Sequence, residues 1–321
     1  MADPLQPRDH NIPVPPQPRL HSSLWPYPRS QMAAWSGVRG KRVLMTGGTN
    51  GIGLAAAREL AARGADLSIV ARDQTRGAAA AAQIGVAGGG RPVDVLLADL
   101  SSQASVRRLA AEVLERYSRL EVLVNNAGAI YSSRQLSEDG IELTWALNHL
   151  APFLLTTLLL DRLRAGAPAR IVTTSSDAHQ GAHIPFDDIA AERSYGGRGF
   201  IRYGQTKLAN ILFTIELARR LQGTGVTANS FHPGLVATGF NRNNGVLMQL
   251  GMTVIRPFAR SAEKGAETLV WLVDSPEAGA ESGGYFVDRR RVLPTAAAQD
   301  ADAARRLWEL SEQQTRAGRA A

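Results

Sequence analysis

Two short stretches hold residues that could do chemistry. The first is "FIRYGQTKLAN", Phe200–Asn210, in which Lys207 follows Tyr203 by four positions. Only three of the 36 basic residues are lysine, so an ammonium here stands out against an arginine background. Four positions make one helical turn, which would place phenol and ammonium on one face of a helix. Six tyrosines offer several chances of that spacing, so the pair alone is suggestive and no more. The second stretch is "TGGTNGIG", Thr46–Gly53, with Gly47, Gly51 and Gly53 between a run that reads as strand and one that reads as helix. Glycines at such a junction permit a tight turn and let backbone N–H groups and a helix N-terminus approach a pyrophosphate. The spacing is G-x3-G-x-G rather than G-x-G-x2-G, and a dinucleotide is the expected ligand.

The elements that must position these groups alternate along the chain. "RVLMTG", "DLSIVAR", "PVDVLLADL", "LEVLVNNAG", "ARIVTTSS", "VTANSFHPG" and "GYFV" read as strands. Between and after them, "IGLAAARELAARG", an alanine-rich run to about Gln83, "SVRRLAAEVLERYS", "LTWALNHLAPFLLTTLLLDRL", "YGQTKLANILFTIELARRLQ", 262–274 and 300–315 read as helices. The strands are continuous apolar runs, as expected where crossover helices bury both faces. The expected fold is α/β: a doubly wound (Rossmann) parallel sheet of about seven strands in a single domain, residues 37–321. Residues 1–36 are proline-rich without an apolar period and read as a disordered or clinging tail, with Trp25, Tyr27 and Trp35 as groups that could reach the site.

The end of the second strand discriminates between dinucleotides. A carboxylate there would bind the ribose 2′-hydroxyl of NAD, whereas an arginine pairs with the 2′-phosphate of NADP. In "SIVARDQ" Arg72 holds the position and Asp73 follows it, so NADP(H) is expected ahead of NAD(H). Asp99, ending the third strand, could accept from the adenine amino group or serve with Ser101 as a helix N-cap.

Composition excludes several classes. Apolar content of 44% with 20% charge is that of an ordinary globular chain, and the net charge of +7 is scattered rather than gathered into a stripe, so no nucleic-acid partner is expected. Zero cysteines exclude disulfides, thiolate metal sites and a thiol nucleophile, and fit a reducing cytoplasm. The N-terminus has charges and prolines where a secretory signal needs an apolar run. "FLLTTLLL" falls short of the ~20 residues that span a bilayer, so a cytoplasmic chain with no membrane span is expected.

With the glycine spacing, "NNAG" at Asn125–Gly128 and "YGQTK" at 203–207, the chain resembles the short-chain dehydrogenase/reductase family over residues 41–290. Within it, "TTSSDAH", "IPFDDI" and "HPGLVATGF" are similar to the retinol dehydrogenase and WW-domain oxidoreductase branch. The resemblance implies interconversion of a ketone or aldehyde and an alcohol on a fairly apolar small molecule, through Asn148, Ser176, Tyr203 and Lys207. Tyr203 would give a proton to the carbonyl oxygen or take one from the alcohol. A free phenol has a pKa near 10, and lowering it by ~3 units requires about 4 kcal/mol, part of it from the Lys207 ammonium and more from an oxidised nicotinamide. Ser176 would hold the substrate oxygen, with Ser175 as the competing candidate. Asn148 would bind a water linked to Lys207, or merely kink its helix.

The same resemblance implies a cofactor site from Thr49, Asn50 and Ile52 beside the three glycines, from Asp99 and Leu100, from Asn126, Ala127 and Gly128, from Tyr203 and Lys207, and from Pro233, Gly234, Val236 and Thr238. Residues 177–202 form an insert expected to shape one wall of the substrate entrance. Residues 235–261 read as a lid over an apolar substrate, or as a packed helix pair. His179 and His183 have no evident third ligand, so no metal is expected, and His232 reads as shaping a turn. A dimer or tetramer is implied by the family. The competing readings are an NADP(H)-binding sensor or scaffold without catalysis, and an epimerase or dehydratase using the same cofactor.

Overall fold

The computed structural model describes residues 35–236 and 259–316. Strands β1 (Arg42–Thr46), β2 (Asp66–Ala71), β3 (Asp94–Leu97), β4 (Val122–Asn125), β5 (Ala169–Thr174), β6 (Val226–His232), β7 (Tyr285–Val287) and β8 (Arg290–Val292) form one sheet in the order β3-β2-β1-β4-β5-β6-β7-β8. All neighbours are parallel except β7 and β8. The sheet thus has one strand more than expected. The β8 residues lie in a charged run without strand period, and they pair only because Asp288 and Arg289 both take positive φ, 49° and 62°, in a two-residue hairpin turn.

Alternate side chains of each strand enter opposite helical layers. Val43 and Met45 of β1 pack with α1 (Gly51–Ala62) and α7 (Ala262–Asp274), through Ala57, Leu60, Leu269 and Val273. Leu44 points the other way, into the layer of α3 (Gln103–Arg116), α5 (Ala151–Ala165) and α6 (Phe200–Arg220). In α3 the buried Val106, Leu109, Ala110 and Val113 repeat at the helical period, so a mostly polar sequence still presents one apolar stripe. Helix α2 (Gln74–Ala87) flanks β2 and β3. The final helix, α8 (Ala301–Arg316), packs on α6 and buries Leu307 and Trp308.

Helix α4 (Leu143–Trp145), a π-helical turn at Ala146–Leu150 and α5 run on from one another. Together, Leu143–Ala165 is long and apolar enough to cross a membrane, contrary to the expectation from "FLLTTLLL" alone, yet most of it is buried in the fold. Phe153, Leu155, Leu159 and Leu163 are core residues here.

Trp35 corrects the idea of a tail tryptophan at the active site. Its ring stacks under the Arg170 guanidinium, 4.1 Å from centroid to Cζ, and its indole N–H donates to the Asp274 carbonyl at 3.1 Å. Arg170 is the second residue of β5, so Trp35 is fixed at the N-terminal edge of the sheet, the end away from Thr174 and Ser176. Trp25 and Tyr27, with the rest of 1–34, lie outside the described residues.

Candidate active site

The strand order reverses between β1 and β4, and a crevice opens at the C-terminal ends of the strands there. Thr46 closes β1 and ties the loop that follows to the exit of β4: its Oγ1 accepts from Asn126 N at 3.0 Å and Ala127 N at 3.1 Å. This puts Gly47 so near the "NNAG" turn that a Cβ on it would sit 2.8 Å from the Ala127 backbone, and its φ is +67°. A Cβ on Gly53 would lie 2.0 Å from the Gly47 carbonyl oxygen, so this glycine lets the first turn of α1 close onto the loop. Asn50 caps α1, its Oδ1 accepting from Gly51 N at 2.8 Å, with Thr49 and Ile52 on either side of that start. Asn126 bridges the crevice, donating to Gly47 O at 3.1 Å and accepting from Thr174 Oγ1 at 3.1 Å. Such a loop at a helix N-terminus, with no side chain between backbone and ligand, suits a pyrophosphate.

At the end of β2, Arg72 and Asp73 part company. The Asp73 carboxylate caps α2, accepting from Arg76 N at 2.8 Å, while Arg72 is exposed and its charge acts on the Tyr131 hydroxyl. The arginine is therefore the charged group left exposed at the end of β2. Asp99 is exposed and closes a turn on Ser101, accepting from its N–H at 2.9 Å and its hydroxyl at 2.7 Å. The cap of α3 is Ser102, bonded to Ser105 N at 3.2 Å, so the expected capping by Asp99 with Ser101 is corrected by one residue. Leu100 beside them is buried in the core.

After β6, Pro233 and Gly234 lead to Val236, which forms a parallel bridge with Arg260. Gly234 has φ +84°, and the Arg260 guanidinium lies across it where a Cβ would stand. Arg260 in turn pairs with Asp288. Thr238 and most of the 235–261 stretch lie outside the described residues.

The remaining candidates converge at the end of β5. Ser175 is buried and spends its hydroxyl on the Lys207 carbonyl at 2.7 Å. Ser176 is the serine whose hydroxyl meets the Tyr203 phenol, and it also accepts from Ala178 N at 3.2 Å. Lys207 is 2% exposed; its Nζ donates to Thr174 O at 3.1 Å and stands 5.2 Å from the Tyr203 ring centroid. A Cβ on Gly128 would be 3.6 Å from that Nζ and 3.2 Å from Asn148 Oδ1, so this glycine leaves room for both groups. Asn148 lies in the π turn, and its amide is taken up by protein: Oδ1 accepts from Ala129 N at 2.8 Å, and Nδ2 donates to Ala129 O at 2.8 Å and Thr206 Oγ1 at 3.2 Å.

Burial dominates the electrostatics. It pushes the Tyr203 phenol up to about 12, against the smaller downward pull of its bond to Ser176. It pushes the Lys207 amine down to about 8. The protein alone therefore does not supply the lowering of Tyr203 expected from the nearby lysine, because desolvation disfavours the phenolate and the ammonium alike.

The histidines of this region are structural in geometry. His179 is buried, with Nδ1 2.8 Å from Ser176 O and its ring edge-on to Tyr285. His183 is exposed, and no group of three metal-ligating side chains occurs among the described residues. His232 accepts from Asp177 N at 3.2 Å, holding the turn after Ser176 to β6, and burial pulls its pKa below the ordinary value.

Sequence reasoning passed over Thr46 and Thr174. Both act through a backbone carbonyl or a loop contact that any strand-ending threonine could make, so residue type carries no signal. It also passed over Glu142 and Arg202, a fully buried ion pair at 2.7 Å joining the helix of Asn148 to that of Tyr203.

Fold and crevice define a doubly wound α/β protein with a dinucleotide cradle at its switch point. The model of the short chain dehydrogenase family matches residues 41–249. Retinol dehydrogenase 12 of Homo sapiens is 43% identical over 272 residues, covering 85% of this chain and 85% of its own. DnrU of Streptomyces sp. (strain C5), provisionally named a daunorubicin C-13 ketoreductase, is 40% identical over 277 residues, covering 86% of this chain and 92% of its own. Among solved structures, a short chain dehydrogenase from Burkholderia cenocepacia J2315 in complex with NADP is similar with a TM-score of 0.62 and 30% identity, over 78% of this chain and 96% of that one. The chain belongs to the short-chain dehydrogenase/reductase family, in its retinol dehydrogenase-like branch. It is an oxidoreductase of the CH–OH/C=O type with a nicotinamide cofactor and a small-molecule substrate.

Proposed function

We propose that the chain is an NADP(H)-dependent reductase of a ketone or aldehyde on a fairly apolar molecule, with Tyr203 as the proton donor. The observation that carries this reading is the Ser176 hydroxyl against the Tyr203 phenol, with the Lys207 amine buried beside it at the end of β5. The glycine loop, Asn126 to Gly128, and the turn from Pro233 to Val236 would hold the dinucleotide, with Arg72 on the 2′-phosphate; Thr238 belongs with them on the family resemblance. When bound, the nicotinamide supplies the hydride that goes to the carbonyl carbon. Ser176 orients the carbonyl oxygen by donating to it, and Tyr203 passes its phenolic proton to that oxygen, so one hydride and one proton complete the alcohol. A phenol pushed up to about 12 keeps its proton throughout the neutral range, so the proton that reduction consumes is in place on Tyr203. The Asn148 amide is committed to Ala129 and Thr206, so a proton relay through this residue would use its main chain.

NADP ahead of NAD is supported by Arg72 with Asp73 spent as a cap, and by the NADP complex of the Burkholderia relative. Exposed Phe200 and Ile201 at the start of α6, and Leu235 after β6, support an apolar substrate. The test is loss of NADPH absorbance with a panel of apolar aldehydes and ketones, including retinal and an anthracycline ketone, for the parent and Tyr203→Phe. Turnover by the parent that Tyr203→Phe loses at least about a hundredfold is the expected result. Unchanged turnover in Tyr203→Phe sinks the assignment, and dinucleotide binding without turnover across the panel favours the sensor reading.

A further inference from the structure

We propose that the C-terminal helix α8 is a positioning element of the active site: Ser311 and Gln314 hold, through His149 and Trp145, the π turn that carries Asn148. The proposal rests on the roles given above to Asn148, Tyr203 and Lys207. A π turn inside a helix is uncommon and persists where tertiary contacts stabilise it. Here the contacts come from α8. Trp145, just before the turn, donates its indole N–H to Gln314 Oε1 at 3.0 Å. His149, within it and fully buried, meets Ser311 Oγ through Nε2 at 2.8 Å. The two rings stand 4.6 Å apart, with Asn148 between them in sequence.

Ser311 Oγ lies 2.7 Å from Leu307 O and 2.8 Å from His149 Nε2, so one hydroxyl ties the ring to the backbone of α8. On its other side the ring faces the Asn210 side chain. Asn210 Nδ2 donates to Thr174 O at 3.2 Å, the carbonyl that also receives Lys207 Nζ. Ser311, His149 and Asn210 thus stand in succession between α8 and the carbonyl that holds Lys207. Burial pulls His149 down to about 3, so the ring stays neutral and acts as a strut rather than a switch. The outer end of α8 is anchored by Trp308, which stacks on Phe213 and meets Phe153 edge-on, and by Gln103 Nε2 donating to Gln314 O at 3.0 Å.

The deciding variant is Ser311→Ala, with Ser311→Thr as the conservative control and Tyr203→Phe in parallel. Lys41, Lys207 and Lys264 are the three lysines of the chain, so carbon-13 lysine labelling yields one side-chain signal for each. The groups beside Lys207, namely Thr174, Gly128 and Asn148, are uncharged, and Tyr203 is its titratable neighbour. In the parent, burial pushes the Lys207 amine down to about 8. Slackening these contacts admits water, so in Ser311→Ala its midpoint is expected to rise by about half a unit or more, with Lys41 and Lys264 unmoved. With NADPH and nonanal as probe, kcat is expected to fall about tenfold and KM to stay within about twofold. Ser311→Thr is expected to restore both.

A folded Ser311→Ala protein with an unmoved Lys207 midpoint overturns the proposal, whatever its loss of thermal stability. If Ser311→Ala does not fold, Gln314→Ala and Trp145→Phe are judged by the same two readings. If nonanal is not reduced by the parent, the Lys207 midpoint decides alone. Full turnover in Tyr203→Phe would instead sink the reading of Tyr203 and leave the Lys207 result standing.

Discussion

Replacing Arg202 by methionine should strand one of the most buried carboxylates in the molecule. The Arg202 and Glu142 side chains are 1% and 0% exposed, and they meet at 2.7 Å. Breaking a buried pair by removing one partner costs about 3–5 kcal/mol, because the remaining charge keeps its desolvation penalty. Arg202 also donates to Gln205 Oε1 and Ile189 O and lies over the Trp145 ring, so the loss should fall in the upper half of that range. For a chain of this size such a change lowers Tm by about 10 °C. Adding Glu142→Gln should recover most of the loss. A remainder of about 1 kcal/mol is expected, because the two carboxylate oxygens cap both Thr144 N and Trp145 N and an amide can accept at only one. Thermal unfolding followed by circular dichroism over the four-protein cycle measures the coupling. A loss below about 1 kcal/mol for Arg202→Met, or a double variant as weak as the single one, refutes the claim that the pair clamps the two helices.

Other expectations follow from the crevice. Arg72→Asp should weaken NADPH and improve NADH, shifting the ratio of kcat/KM by about a hundredfold, read by initial rates with each cofactor. Gly53→Ala places a Cβ 2.0 Å from the Gly47 carbonyl, and loss of NADPH fluorescence enhancement is expected, while Gly40→Ala, with nothing near its Cβ but φ +69°, should lose stability and still bind NADPH. The pH dependence of reduction should be set by Lys207 rather than Tyr203: the phenol holds its proton up to about 12, whereas the ammonium is lost as pH rises through about 8. The rate should therefore decline through about 8 and show no fall toward pH 6, as a pH profile of kcat will show. Asp73→Ala should cost about 1 kcal/mol through the lost α2 cap, with little change in cofactor preference.

Much of this arrangement was readable in the residues. Apolar runs buried on both faces predicted the strands β1 to β7, and the glycine spacing predicted the cradle, because local composition and backbone requirement coincide there. β8 was hidden: its pairing depends on two residues forced to positive φ, and "DRRR" has neither the alternation nor the glycine that would announce it. At the site, the choice between Ser175 and Ser176 turns on which hydroxyl meets a helix carbonyl, and that is a property of the packed structure. Arg72 was favoured over Asp73 by its position in the sequence, and the α2 cap gives the carboxylate a separate task. The direction of the Tyr203 shift was unreadable for a different reason. It depends on burial of the whole helix face, which no four-residue motif reports.

Trp35 fixes the direction from which the chain enters the domain. Clamped between Arg170 and the end of α7, it begins its path at the floor of the sheet, beneath β5, whose far end leads to Ser176. An affinity tag, a fluorescent protein or an immobilising linker fused directly at residue 35 would therefore be rooted on the side away from Ser176. For biosensor or flow-reactor use, that makes the N-terminal side the attachment point of choice.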